Sequence, residues 1–324
     1  MKEKTMKKRW LILFSLVTLI SLLGVGLTGQ EGNFTLPDNL AAQDYANIAW
    51  MITATIFVLM MTPGLAFFYG GMVRAKNVIS TMLQSFIVMG VVSVIWIVFG
   101  FGLSFGNDIG GLIGNPADFF MLNHVGCENM GAPGTSPLSQ IDLGVTTIPL
   151  ALFALFQMKF AIITPSLITG SFAERVKFSG YLIFMMLWVI FVYCPLAHWT
   201  WHPEGIFAQM HVHDFAGGIV GTVLTGVFTY SYFYPQAEGA EVSHLEFFLN
   251  HMLAVVIVFS YTFIMSYALY WLTNKMVRMR VSAKSERIGL DKSQHDEEYG
   301  TEVHTEIAEE VPSESEWMRS VAEN

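Results

Sequence analysis

Five apolar stretches, each long enough to cross a lipid bilayer, constrain this chain more than any other feature. A hydrocarbon core of about 30 Å needs about 20 consecutive apolar residues in a helix. The stretches are residues 46–71, 78–104, 145–170, 180–197 and 248–274. A backbone in lipid must satisfy its own hydrogen bonds, so each stretch is expected to be helical. The sequence therefore predicts an all-α, polytopic transmembrane helix bundle.

The composition supports a membrane protein and argues against other classes. Hydrophobic residues make up 53% of the chain and charged residues only 13%, whereas about a quarter of a soluble domain is charged. The sequence contains no nucleophile elbow, phosphate-binding loop or HExxH motif. We therefore expect neither an enzyme nor a nucleic-acid-binding protein, and no cofactor.

The acidic charge of the chain lies at its C-terminal end. Residues 286–324 carry twelve acidic and three basic side chains, which accounts for the whole net charge of −9. Basic residues cluster after the first, third and last apolar stretches. Because basic loops face the cytoplasm, residues 276–324 are predicted to be a cytoplasmic tail.

The N-terminal residues resemble a targeting segment. Five basic residues precede an apolar run from Trp10 to Leu27, and small or polar residues follow it. This order is typical of a secretory signal peptide, predicted here for residues 1–29. The alternative is an uncleaved anchor, and either leaves residue 30 onward outside the cytoplasm, at the start of a membrane domain predicted for 30–275.

A sixth apolar stretch, residues 215–234, does not fit the alternation of the others. If it crossed the membrane, the basic residues that follow the last stretch would lie outside the cell. The charge rule holds if this stretch enters and leaves on the external side. We therefore predict about five or six membrane segments, with residues 235–247 external.

Four phrases carry a resemblance to a known family. They are TPGLAFFYGGMVRAKNVISTM at 62–82, FAERVKFSGYLIF at 172–184, HVHDFAGG at 211–218 and GLDKSQHDEEYG at 289–300. In this order they are similar to the ammonium transporter family (the Amt/Mep/Rh group). The resemblance implies a plasma or inner membrane protein for ammonium uptake in nitrogen assimilation.

The resemblance also implies site residues. Phe156 and Trp201 match aromatic residues of an external vestibule, where the family attracts ammonium by cation–π contacts worth about 1–2 kcal/mol. Phe160 matches one of two stacked phenylalanines that close the pore. Asp214 matches an acidic residue that supports the vestibule without touching the substrate.

The chain departs from the family pattern at Gly217 and Gly218. The family has eleven membrane helices in two inverted halves plus a final helix. Here the start of the fifth helix runs directly into the second half of the tenth, which indicates an internal deletion near 217–218. Two facing pore histidines, a second gating phenylalanine and a vestibule hydroxyl are missing with it.

Two further features allow alternatives. Lys159 lies in the third stretch, where a charge costs about 3 kcal/mol and usually faces a cavity or a partner; it is either a regulatory lysine or a substitution tolerated in an inoperative pore. An external zinc site is an alternative use of the clustered His198, His202, His211, His213 and Asp214, but their spacing matches no recognised motif. We therefore predict no metal site.

The leading hypothesis is a shortened ammonium transporter with little or no flux by itself. The alternatives are a non-conducting subunit that regulates full-length relatives and an inactive truncated copy. The resemblance implies a homotrimer, or an assembly with full-length relatives, and a PII-type regulatory protein as partner of the tail. We expect residues 289–300 to be docked and 301–324 to be solvated.

Overall fold

The computed structural model describes residues 42–126, 148–214, 218–230 and 242–299, together with Ser15 and Leu19. Apart from those two residues, the predicted signal peptide lies outside the described part of the chain. So do the tail beyond residue 299 and most of the predicted external segment 235–247.

The described residues are mainly helical. The helices are α1 Ala42–Gly70, α2 Val78–Ile95, α3 Phe101–Phe105, α4 Leu150–Ser166, α5 Thr169–Phe172, α6 Phe178–Trp188, α7 Cys194–Trp201, α8 Ile206–Gln209, α9 Gly218–Phe228, α10 His244–Met276 and α11 Ala283–Ile288. Two strands, β1 Asp108–Ile109 and β2 Ile113–Gly114, pair antiparallel.

Five helical segments are long and apolar enough to cross a membrane, as predicted. They are Asp44–Gly70, Ala75–Phe105, Leu150–Phe172, Phe178–Gln209 and His244–Met276. Wider π-helical turns at Trp96–Gly100 and Val189–Tyr193 continue α2 into α3 and α6 into α7. The chain is therefore a multi-pass transmembrane helix bundle.

The structure corrects two details of the predicted loops. Helix α7 continues to Trp201, four residues beyond the apolar stretch predicted for 180–197, so the loop that follows it begins later. This helical turn is retained because the indole of Trp199 is buried and donates a hydrogen bond to Leu112 O at 2.7 Å. The strands β1 and β2 were not predicted, because two residues are too few to show a period.

Aromatic side chains fill the middle of the bundle. Trp96 is 1% exposed, packs against Phe101 and Tyr193, and donates from its indole to Ala154 O at 3.0 Å. These residues belong to the second, third and fourth spans, so the core joins three spans at one point.

One end of the bundle, which we call the basic face, is formed by residues 71–77, 173–177 and 277–297. Arg74 pairs with Glu174, and Val176 forms a β-bridge with Arg280. The backbone N–H of Lys177 donates to Met279 O at 2.8 Å. Three segments that are distant in sequence therefore meet at one end of the spans.

Two tail side chains cap helix starts at the basic face. Asp291 is 1% exposed and its carboxylate accepts from the N–H groups of Ile79 at 3.0 Å and Ser80 at 2.6 Å. Gln294 accepts from Phe178 N at 2.7 Å. Because the first N–H groups of a helix have no partner within it, these contacts pair groups that would otherwise be left open. Residues 289–295 are therefore docked, as predicted for 289–300, whereas residues 296–299 are exposed.

A close approach at Gly289 permits this docking. Its φ is +108°, and a Cβ there would lie 2.6 Å from Lys76 O. The neighbouring Leu290 N donates to the side chain of Asn77 at 2.8 Å. A residue without a side chain is needed where the tail meets the loop before α2.

The opposite face carries the ends of the segment that includes α9. The amide of Asn250 donates to Met210 O at 2.9 Å, and His213 N donates to His251 Nε2 at 3.1 Å. The chain therefore leaves this face after residue 214 and is back on it before residue 250. The described helix α9 has 11 residues, about 16 Å of rise, which is less than the about 30 Å of a hydrocarbon core.

Candidate functional site

Trp201 and Asp214 form a hydrogen-bonded pair on the face opposite the basic face. The indole Nε1 of Trp201 donates to Asp214 Oδ2 at 3.0 Å. Trp201 is half-buried at the end of α7, whereas Asp214 is exposed. The carboxylate therefore holds the indole ring in one orientation.

A mainly apolar cavity of about 860 Å³ lies beside this pair. Its lining runs from Trp201 and Asp214 at one end to Thr164 and Phe172 at the other. The fourth and fifth spans form its long walls, and Thr222 of α9 also contributes. The cavity therefore extends through most of the depth of the bundle.

Phe156 and Phe160 form a second pair on α4. Their ring centroids are 5.0 Å apart, with the planes at 74° in an edge-to-face arrangement. Both rings are half-buried, and so is Lys159, which precedes Phe160 in the sequence. Phe160 packs against the hydrophobic core. Neither phenylalanine lines the cavity beside Trp201.

The four residues expected at one site therefore form two separate pairs. The tryptophan and the aspartate share a cavity, but the two phenylalanines do not open into it. The lining residue Thr222 was not singled out from the sequence. The signal that could have identified it is its position four residues after Gly218, on a helix that begins at the junction.

The histidines considered for zinc are engaged in other contacts. Nε2 of His198 lies 2.8 Å from Asp108 Oδ1, and its Nδ1 lies 3.0 Å from Ser104 O. His202 stacks on His198 with centroids 4.4 Å apart. Burial alone would raise the pKa of Asp108, but the hydrogen bonds from His198 and Gly111 N lower it. Within the described ranges, no three His, Cys, Asp or Glu side chains could hold a metal ion.

His251 on α10 contacts the site, and the sequence analysis did not identify it. It is fully buried, and it accepts from the backbone N–H of His213 and packs against Phe247. Burial, and then the nearby His251 and His211, lower the pKa of His213 to about 4. His213 is therefore neutral at pH 7 and adds no positive charge beside Asp214.

Comparison with known proteins gives the family. The model described as Ammonium Transporter Family matches residues 49–220 and 217–299. The two matches overlap at the glycine pair where the motifs run together.

Curated relatives give the same result over part of their length. An ammonium transporter of Mycobacterium tuberculosis (strain ATCC 25618 / H37Rv) is 39% identical over 198 residues, which is 58% of this chain and 42% of that protein. An ammonium transporter of Bacillus subtilis (strain 168) is 43% identical over 181 residues, 55% of this chain and 40% of that protein. The chain spans about two fifths of the length of the relatives it matches.

A solved structure described as a sensor Amt protein has the same fold. It superposes with a TM-score of 0.61 at 18% identity, covering 78% of this chain and 98% of that one. At this identity the likeness concerns the fold alone. The family model covers most of the chain, and this 324-residue membrane protein therefore belongs to the ammonium transporter family.

Proposed function

We propose that this protein recognises the ammonium ion at Trp201 and does not conduct it by itself. The observation that carries the proposal is the indole of Trp201, which Asp214 orients at the edge of a cavity. An aromatic face attracts a cation by about 1–2 kcal/mol where water is excluded. The exposed carboxylate of Asp214 adds a favourable negative charge.

The lack of conduction follows from the arrangement of the pairs. Phe160, the one gating phenylalanine that the resemblance assigns, does not line the cavity beside Trp201, and neither does the vestibule aromatic Phe156. Lys159 lies between them in sequence and would repel a cation. The overlap of the two family matches at 217–220 supports an internal deletion there, which would remove half of the inverted repeat.

The location and assembly form part of the same proposal. Residues 1–29 act as a signal peptide for the cell membrane, 30–275 form the membrane domain with its N-terminus outside, and 276–324 face the cytoplasm. The basic residues around Arg74, Lys177 and Arg278 support this orientation. Subunits assemble as homotrimers or with full-length relatives, and a PII-type protein binds the tail.

Recognition is tested by methylammonium-dependent stabilisation of the purified protein. Methylammonium chloride should raise the melting temperature more than sodium chloride does at equal ionic strength. Trp201→Leu should abolish this difference. Trp271→Leu is the matched control, since Trp271 is exposed and already has the Lys275 ammonium 3.8 Å from its ring centroid. Equal shifts in the parent and in Trp201→Leu would reject the ammonium site.

Conduction is tested by uptake of labelled methylammonium in cells that lack their own transporters. Cells with this chain should remain at background, whereas cells with a full-length relative at equal membrane abundance take up the label. Comparable uptake in both would contradict the proposal.

A second candidate is a non-conducting subunit that regulates full-length relatives. It is favoured by the basic face, where Asp291 and Gln294 of the tail cap two helix starts although Phe156 and Phe160 do not line the cavity beside Trp201. When the two proteins are made together, uptake by the relative should change. Unchanged uptake despite co-purification would support an inactive copy instead.

A further inference from the structure

A second cavity, of about 630 Å³, opens at the basic face. It lies between the start of α6, the chain after α10 and the docked tail. Most of its lining residues are polar, unlike those of the cavity beside Trp201. We call it the basic pocket, and define it by Lys177, Ser179, Arg278, Arg280, Ser282 and Ser293.

The basic pocket carries three cations and no carboxylate among its lining residues. Arg280 is paired with Glu286, its Nε lying 2.9 Å from the carboxylate. Among the described residues, the side chains of Lys177 and Arg278 form no ion pair. Two positive charges therefore lie at the cavity without a counter-charge from the described part of the chain.

Neutral donors surround these cations. The hydroxyl groups of Ser179, Ser282 and Ser293 lie in the lining and can each donate a hydrogen bond. The pocket also borders the first turn of α6, where Gln294 already accepts from Phe178 N and the next N–H groups favour an anion. Cations together with hydroxyl and N–H donors are the groups that bind phosphate oxygens in proteins.

The position of the pocket places it at the membrane surface. It lies beyond Met276, where the last span ends, and before Phe178, where the fourth begins. In the last turn of α10, the ammonium group of Lys275 lies over the exposed ring of Trp271. Aromatic and basic residues of this kind are typical of the membrane–water interface. Phosphate groups of lipids are found at this depth.

We propose that the basic pocket binds a phosphate group, carried by an anionic lipid headgroup or by free phosphate. Lys177 and Arg278 supply the charge, and the serine hydroxyl groups fix the phosphate oxygens. The bound anion joins the start of α6 to the chain after α10. Basic pockets between transmembrane helices on the cytoplasmic side recognise such headgroups.

The test compares two double variants that remove equal charge from the same face. The double variant Lys177→Gln/Arg278→Gln removes the two unpaired positive charges from the pocket. Lys284→Gln/Arg287→Gln is the control, because both of its side chains are exposed and outside the lining. Both variants should have about the parent melting temperature in phosphate-free detergent solution, since none of these four side chains forms a hydrogen bond or ion pair with another described residue.

The lipid arm uses nanodiscs of phosphatidylcholine with phosphatidic acid, and the lipid retained after detergent extraction is measured by mass spectrometry. The soluble arm titrates inorganic phosphate against chloride at equal ionic strength and follows the melting temperature. Binding in the lipid arm alone assigns the site to a headgroup, and binding in the soluble arm assigns it to free phosphate.

In whichever arm binds, the pocket variant should bind about 10- to 100-fold more weakly, from the loss of two charge-assisted contacts. The control variant should bind within about twofold of the parent, since surface charges away from the pocket are screened. The proposal is overturned if neither arm shows binding, or if the two double variants lose binding equally.

Discussion

The two ends of the bundle differ in how their polar groups are used. At the basic face, Asp291 and Gln294 cap two helix starts, and a β-bridge fastens the tail to the loop before α6. At the opposite face, Trp201 and Asp214 border a cavity of about 860 Å³. The basic face needs three short segments, all present here, whereas a transport path needs both halves of a repeat. On our proposal, a shortened chain keeps this docking face without a transport path.

The largest expected effect is a difference in labelling, because only one of the two faces should be accessible from outside the cell. Ser243 and Ser282 are exposed N-cap serines on opposite faces, each accepting a backbone hydrogen bond. In a chain with Cys127→Ser, we expect Ser243→Cys to react with an impermeant maleimide in intact cells. Ser282→Cys should react only after lysis. The reverse pattern would show that the protein has the opposite orientation in the membrane. Labelling of both cysteines in intact cells would contradict the proposed topology.

A large loss of stability is expected from the buried cap. Asp291→Ala removes a carboxylate that accepts from two N–H groups, and should cost about 2–3 kcal/mol. Thermal unfolding in detergent measures this. Asp296→Asn is the control, since its side chain is 87% exposed and asparagine tolerates the positive φ of this residue. Equal melting temperatures for the two variants would show that the cap does not stabilise the tail.

A smaller loss is expected at Gly289. Gly289→Ala places a residue with a side chain at a positive φ and brings its Cβ too close to Lys76. We expect this to lower the free energy of unfolding by about 1–2 kcal/mol. Gly110 on the opposite face has φ +70° and open space around it, so Gly110→Ala carries only the conformational cost. We expect Gly289→Ala to melt at the lower temperature, and the opposite order would argue against close docking.

The smallest expected effect is a loss of stability at low pH. The hydrogen bond from Arg74 lowers the pKa of Glu174 from 4.5 to about 2. A lowered pKa in the folded state contributes stability above the ordinary value, and this stability is lost as the pH falls from about 4.5 towards 2. Because Arg74 is exposed, the effect should be small. Glu174→Gln should flatten this part of the melting profile, and an unchanged slope would show that the pair contributes nothing.

Much of the fold was predictable from the sequence, because each span is a long apolar run whose helical state depends on local residues. The docked tail was expected from one phrase, but its contacts were not. Asp291 reaches a helix start 211 residues earlier, and no local pattern encodes such a partner.

The candidate site was predicted less completely. The motif identified Trp201 and Asp214, which do meet. It also gave Phe156 and Phe160 as site residues, and these do not line the cavity beside Trp201, because a motif assigns a role to each residue but does not specify which rings open into one cavity. The partners of His198 and His251 depend on packing between spans, which hydropathy does not specify.

Hydrogen exchange in lipid nanodiscs, with and without Asp291→Ala, tests most directly whether the basic face is a separately intact structure. In the parent, amides of residues 289–297 should exchange slowly. Asp291→Ala should remove that protection and speed exchange at 78–82, while residues 206–214 beside the large cavity stay unchanged. Rapid exchange of 289–297 in the parent, or equal changes at both faces in the variant, would contradict the account.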